Sequence, residues 1–304
     1  MLEHFIPDMP YVSVIIRTFN EQKHLPGLLE ILREQTCRDI ELIVVDSGST
    51  DRTREIAQAC CDKVVCIESK DFTFGYSLNM GIQNSAGRYI AIVSAHTKPV
   101  EATWLERLTE PLHNDRTAMV YGRQVGWETS KFSEIQDFHR TFGKDREILK
   151  PPRFFANNAN SSVRKDLWER HRFDEALTGL EDIEWAKFWM KKGYEVVYEP
   201  DAAIYHIHEE TWPQVQRRYF REAVAARRIG IKKRRQIPFE LLSEGKNLIL
   251  DLLRAAAAKR LTEKYGEIVR FRFWKAVGTV KGLWNDTILD DVRKKEAIFF
   301  DKSR

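Results

Sequence analysis

The chain has 304 residues, 43% of them apolar and 31% charged, with a formal net charge of +4. That length buries a full core, with room for one large domain and an appendage, and the composition is that of an ordinary soluble protein. No apolar run approaches the roughly 20 residues needed to span a bilayer, and residues 1–12 do not read as a signal peptide, so a cytoplasmic location is expected.

Val12–Ile16 is a short apolar run that ends in Arg17-Thr18-Phe19-Asn20-Glu21. Glu41–Val45 is a second, ending in Asp46-Ser47-Gly48-Ser49-Thr50-Asp51. Both read as buried parallel strands whose carboxyl ends carry ligand-binding groups, the usual place for a site in an open α/β sheet. The first turn has no glycine-rich phosphate cradle and the second strand ends in an acid. That pattern suits a nucleoside held by its base and ribose. Pro26–Gln35 is predicted as a helix with proline in its permissive first turn. Ser49 or Thr50 reads as the N-cap of a helix over about 51–60. Lys63–Ile67 is a third strand, Tyr76–Ser85 a helix closed by Ala86-Gly87, and Tyr89–Val93 a fourth strand. This alternation predicts a doubly wound, mostly parallel α/β sheet. The cysteines crowd the same region: Cys37, Cys60, Cys61 and Cys66 lack zinc-site spacing and are expected as buried or free thiols.

Met119–Gln124 reads as a further strand. Ser133–Gly143 and the Pro151-Pro152 loop form an insert of mixed aromatic and charged residues, and 157–162 is a polar strand or loop. Glu181 opens a helix with a face of Trp185, Phe188 and Trp189, closed at Lys192-Gly193. Tyr194–Tyr198 is a late strand, and Tyr205-His206-Ile207-His208 follows a turn at Pro200-Asp201. Pro238 marks a boundary between a domain over 1–237 and a helical C-terminal appendage over 238–304. Two helices are expected between 239 and about 284, then a mixed-charge tail, Asp290–Arg304, expected to fray. From Arg217 to Arg235 nine residues are basic and only Glu222 is acidic. That stretch is either a solvated helix face or a contact for anionic lipid headgroups or a lipid-linked diphosphate. No nucleic-acid motif accompanies the charge, so nucleic acid is not an expected partner. Phe271-Arg272-Phe273-Trp274-Lys275 reads as helix packing or as a membrane-interface anchor.

SVIIRTFNE at 13–21 and ELIVVDSGSTDRT at 41–53 resemble the opening of family 2 glycosyltransferases. The match continues at Asn79-Met80-Gly81, Ala86-Gly87-Arg88-Tyr89-Ile90 and Gly179-Leu180-Glu181-Asp182, covering roughly residues 10 to 225. SAHTKP at 94–99, VYGRQ at 120–124 and FANNANSS at 155–162 are similar to a rhamnosyltransferase-like branch of that family. The resemblance implies the GT-A nucleotide-diphospho-sugar transferase fold. It also implies transfer of one sugar, with inversion, from a deoxythymidine-diphosphate rhamnose or uridine-diphosphate sugar to a glycan or lipid-linked glycan. A cytoplasmic location is expected, and on the lipid reading of the basic 217–235 stretch the enzyme would sit peripherally on the anionic inner face of the cell membrane.

By that resemblance Asp46 accepts a hydrogen bond from the nucleobase imide; otherwise it is a turn aspartate. Thr18 and Glu21 would line the nucleoside pocket, and Phe19 would pack on the base or in the core. Asp182 matches the family's catalytic aspartate, with Glu181 in support; otherwise both stabilise a helix start. A helix N-terminus there is expected to lower the Asp182 pKa. Trp185 is either part of the acceptor platform or core. Arg217 or Arg218 would neutralise the leaving diphosphate; the tryptophan of the processive Gln-X-X-Arg-Trp motif is absent. The main departure is Ser94-Ala95-His96, standing where the family has the Asp-X-Asp that holds a divalent cation. By the resemblance His206 and His208 sit where the family often supplies a C-terminal metal-ligand histidine, and His96 with His208 could still hold Mn²⁺ or, less well, Mg²⁺. The rival is metal-independent chemistry with His96 or Lys98 donating to the diphosphate. The lost acid pair also motivates a contrasting reading, a catalytically silent nucleotide-sugar-binding or scaffold protein. A dinucleotide oxidoreductase lacks its GxGxxG.

Overall fold

The computed structural model describes residues 11–285. The expected Asp290–Arg304 tail lies outside the described residues. The first half alternates as its apolar runs dictate: β1 (Val12–Thr18), α1 (Leu25–Arg33), β2 (Ile40–Asp46), α2 (Thr53–Cys60), β3 (Lys63–Cys66), α3 (Phe74–Gln83) and β4 (Tyr89–Ser94). These four strands are parallel, in the order β3-β2-β1-β4. Both faces are covered, so β1 carries apolar residues at successive positions. Ile15 enters one core cluster with Ile43, Leu78 and Ile92; Val14 and Ile16 enter the other with Leu28, Val44 and Trp104.

The second half adds β5 (Thr97–Pro99), α4 (Trp104–Thr109), β6 (Thr117–Gly126), α5 (Phe132–Thr141), β7 (Glu147–Leu149), β8 (Asn160–Arg164), α6 (Lys165–Arg170), α7 (Glu181–Lys191) and β9 (Glu195–His206). β8 runs antiparallel between β4 and β6, β9 is parallel to β6, and β5 and β7 pair antiparallel with β9. The sheet is therefore mixed but mostly parallel. The polar Asn160-Ser161-Ser162 run is a buried strand because its side chains are satisfied: Trp104 Nε1 donates to Asn160 Oδ1 at 3.0 Å, and Ser162 Oγ donates to the Leu108 carbonyl at 2.5 Å.

Two local expectations are corrected and one open alternative is decided. The cap of α2 is Arg52; Ser49 instead accepts from the Asn20 N–H, while Asp51 accepts from the Thr53 N–H. β9 runs through Pro200-Asp201, with a register shift against β6 in place of a turn. Trp185 is fully buried and donates to the His171 carbonyl, which places it in the core and away from an acceptor platform.

α8 (Trp212–Arg228), α9 (Ile237–Ala257) and α10 (Leu261–Trp284) complete the described chain, with Pro238 in the first turn of α9. Gly278 and Gly282 let α10 lie directly on α8. A Cβ at these positions would sit 2.3 Å from the Gln216 carbonyl and 2.5 Å from that of Phe220. Arg272 of α10 is buried and bonds Asp137 of α5 and Asp251 and Glu244 of α9. Packing and ion pairing thus account for Phe271, Arg272 and Lys275, while Phe273 stays exposed. No helix among the described residues is long and apolar enough to cross a membrane.

Candidate active site

The cleft opens at the carboxyl ends of β1 and β4, about 550 Å³ in volume. Beyond β1 the chain turns at Asn20, left-handed at φ 55°, a conformation asparagine tolerates, and delivers Glu21. Beyond β4 comes His96, just before β5. β5 and β9 pair with Thr97 opposite His206, and the Ile207 N–H donates to the His96 carbonyl at 3.0 Å. His206 and His208, two apart on extended chain, therefore point the same way beside His96. The register shift sets this up, because β6 advances from Gly122 to Gln124 while β9 advances from Glu199 to Ile204. Only glycine fits at 122, where a Cβ would lie 2.0 Å from the Ala202 carbonyl oxygen.

A ring nitrogen of each of His96, His206 and His208 lies within 4.8 Å of the others. Each Nδ1 faces an oxygen acceptor: Glu21 Oε1 at 2.8 Å from His96, Gln124 Oε1 at 2.8 Å from His206, and Glu134 Oε1 at 2.7 Å from His208. His206 Nε2 is buried with no hydrogen-bond partner. Burial pulls the His206 pKa well below its usual value, helped by the neighbouring histidines. Burial also pulls on His96, but Glu21's charge and hydrogen bond prevail and raise it. Behind this wall Arg218 is held by Glu210 at 2.7 Å and Glu134 at 2.5 Å. Burial alone would raise the Glu134 pKa, but His208 and Arg218 outweigh it and hold it at about 2.

The opposite wall is the start of α7. Leu180 caps it in the left-handed region at φ 58°, costly backbone for a leucine. Asp182 Oδ2 accepts from the Asn158 N–H at 2.9 Å and Oδ1 from the Ile183 N–H at 2.7 Å. Glu181 lies 3.9 Å from Arg17 Nη1, which is buried and has no hydrogen-bond partner. Burial, then the Glu181 charge, push the Asp182 pKa up to about 8 against those backbone bonds. The expected lowering by the helix N-terminus is thus overridden, because desolvation beside a second carboxylate is the larger effect.

Glu21, Ser94, His96, Glu181, Asp182, His208 and Arg218 all line the cleft. Thr18, Asp46 and Ala95 are buried behind it, and Phe19 and Arg217 are not on its wall. Both Asp46 oxygens face the Ser49 N–H, at 3.0 and 3.1 Å, so the carboxylate shapes the 46–51 turn and a base reaches it only if that turn opens. Lys98 lies over the Trp127 ring at 4.5 Å, off the wall. Arg221, one helical turn beyond Arg217, is the second arginine of α8 on the cleft beside Arg218, and it stacks over Phe74 together with Arg17. Sequence reasoning pointed to His206 beside His208 but kept only His208 as a ligand, and it missed Arg17, Gln124, Glu134 and Arg221. The period-two spacing of the two histidines was the signal for keeping both; Glu134 had none.

The family described as Glycosyl transferase family 2 matches residues 13–171, just over half of the chain. The O-antigen chain rhamnosyltransferase RfbN of Salmonella typhimurium is 25% identical over 220 residues, covering 69% of this chain and 70% of that protein. Glycosyltransferase AglE of Haloferax volcanii is 26% identical over 205 residues, 65% of this chain and 67% of its own. Among solved structures, the mannosyltransferase PcManGT of Pyrobaculum calidifontis, in complex with GDP-Man and Mn²⁺, superposes with a TM-score of 0.64 at 19% identity, over 92% of this chain and 89% of that one. Residues 1–349 of S. aureus TarS superpose with a TM-score of 0.52 at 17% identity, over 87% and 90%. By this match and this fold, the chain belongs to the family 2 glycosyltransferases and has their GT-A architecture.

Proposed function

We propose that this enzyme transfers one sugar, with inversion, from deoxythymidine-diphosphate rhamnose or a uridine-diphosphate sugar to a glycan or lipid-linked glycan. One observation carries the reading: Asp182, a buried carboxylate with its pKa pushed up to about 8, shares a cleft with a wall of imidazoles and arginines. A base with a pKa near the working pH is best placed to take a proton during attack. The acceptor hydroxyl oxygen forms its bond to the anomeric carbon as its proton passes to a carboxylate oxygen of Asp182. The bond from that carbon to the donor phosphate breaks, and its electron pair leaves with the diphosphate. Glu181 keeps Asp182 basic, and the Asn158 side-chain amide, donating to Glu181 Oε1 at 3.2 Å, holds Glu181 in place. Arg221 and Arg17 lie on the cleft to meet the negative charge that develops on the leaving group. Asp46 fixes the turn that would receive the base.

The residues also fit a divalent cation. His96 offers a ring nitrogen where the family has a carboxylate, His208 offers a second beside it, and imidazole suits Mn²⁺ better than Mg²⁺. Bound there, such an ion would supply positive charge to the donor diphosphate. A lipid-linked acceptor would place the enzyme against the cytoplasmic face of a membrane. Phe239, Leu242, Ile249 and Leu253 recur at helical spacing along α9 and are exposed, with the exposed cations Lys233, Arg234 and Arg235 just ahead of them. That arrangement suits an anionic surface. A panel of nucleotide sugars read by thermal shift, with and without Mn²⁺, tests the donor class. A pyrimidine-linked sugar should raise the melting temperature, and a panel in which none does would contradict the proposal.

A further inference from the structure

We propose that His96, His206 and His208 form a three-nitrogen centre that takes up a first-row transition ion of the Zn²⁺ or Co²⁺ class from solution, before any nucleotide binds. The centre shares two histidines with the cation site proposed above, but its existence does not depend on a sugar donor. In an Asp-X-Asp enzyme hard carboxylates suit Mg²⁺ or Mn²⁺. Three imidazoles change both the choice of ion and the order of events.

The ring centroids of His206 and His208 are 4.0 Å apart, and His96 lies 5.2 and 5.9 Å from them. A carboxylate only accepts, so Glu21 and Glu134 require a proton on Nδ1 of His96 and His208. In the neutral rings of His96 and His208 the lone pair is then on Nε2, and the Gln124 oxygen placed against His206 Nδ1 is compatible with the same tautomer there. This is the outer-shell arrangement that orients metal-bound imidazoles. The buried, unpartnered Nε2 of His206 is a costly orphan in a protein interior unless something binds it.

Charge and surroundings agree. Glu21, Glu134 and Glu210 face the cluster against Arg218 and Arg17, three carboxylates to two guanidiniums, which leaves negative charge for a dication to neutralise. Phe138 packs 6.1 Å from the rings of both His206 and His208, an apolar backing behind the donors. The neighbouring group of Glu134, His208 and Glu210 also has ligand-like spacing. It is the weaker candidate, because Arg218 already binds both of its carboxylates. With three imidazoles as ligands and His96 about one-third exposed at the cleft, further coordination positions face the cavity, as in catalytic rather than structural metal sites.

The test is equilibrium dialysis of the chelator-stripped full chain against Co²⁺ or Zn²⁺ with no nucleotide, read by elemental analysis and by the visible absorption of bound Co²⁺. One equivalent should bind to wild type. His206→Gln should bind at least about tenfold more weakly, and Gln124→Ala about 10–100-fold, the usual effect of losing an outer-shell partner. Absence of uptake by wild type without nucleotide, or uptake unchanged in His206→Gln, would overturn the proposal. If His206→Gln does not fold by circular dichroism, histidine-selective ¹⁵N spectra of wild type decide. Zn²⁺ should move all three Nε2 resonances, and movement of only His96 and His208 would remove the third ligand. The donor thermal-shift panel, run on the stripped protein, is read separately. A donor that still shifts the melting temperature while no metal binds would leave the transferase reading standing and this one fallen.

Discussion

Asp182→Asn should damage catalysis and improve the fold. Its carboxyl is buried beside Glu181, and its pKa rises from 3.8 to about 8. Between those values the folded chain keeps a proton that the unfolded chain has released. The stability contributed by this group is therefore full below about pH 4 and falls as pH rises toward 8. At pH 7 the loss is about 4 kcal/mol, taking roughly 1.4 kcal/mol per pKa unit. Asparagine is neutral throughout and escapes that loss. It keeps one acceptor oxygen where the carboxylate uses two, for the Asn158 and Ile183 N–H groups. Leaving one of those buried N–H groups unpaired costs about 1–3 kcal/mol. The variant should be about 1–3 kcal/mol more stable than wild type at pH 7 and no more stable at pH 4. Without the base, turnover should drop at least about a hundredfold. Urea unfolding at both pH values, with transfer kinetics at pH 7, makes the measurement. A variant less stable than wild type at pH 7, or one with near-normal transfer, would refute the reasoning.

Three further outcomes follow from the site. The kcat/KM of wild type should fall on the acid side with a midpoint near 8, because the free enzyme needs Asp182 ionised and burial with Glu181 holds its pKa up; a midpoint near 4 would separate Asp182 from the base. Arg221→Met should lower kcat by about 10²-fold, the scale of removing one donor to a developing negative charge, and steady-state kinetics showing only a raised KM would assign Arg221 to ground-state binding. Asp46→Ala should weaken nucleoside-diphosphate binding by about 1–3 kcal/mol, whether the carboxylate meets the base or only holds the 46–51 turn; calorimetry showing no change would place the base elsewhere.

The first half of the fold was legible because its central strands are mostly apolar runs, Val12–Ile16 and Tyr89–Val93, buried on both faces and closed by a polar turn. The second half was less so. Trp104–Thr109 and Lys165–Arg170 are six residues each, too short to show a helical period. β9 passes through a proline that reads as a stop, because the register shift leaves Pro200 and Asp201 out of the ladder with β6. The acid at 182 and the histidines at 96 and 208 could be found from their motifs, since the chemistry needs those residue types at strand ends and helix starts. What holds them could not. Gln124, Glu134 and Arg17 act through contacts made by chain distant in sequence, and the burial that raises Asp182 is a property of the packed cleft. Asp46 shows the converse: its motif is legible, but its oxygens are turned inward to Ser49.

The most direct test of the central claim, inverting transfer from a pyrimidine nucleotide sugar in this cleft, is proton NMR of the first sugar product. The enzyme is given deoxythymidine-diphosphate rhamnose, uridine-diphosphate sugars and guanosine-diphosphate mannose in turn, with a lipid-linked glycan acceptor. The account predicts a product of opposite anomeric configuration from a thymidine- or uridine-linked donor, and none from Asp182→Asn. A product of retained configuration, or turnover of guanosine-diphosphate mannose alone, would contradict it.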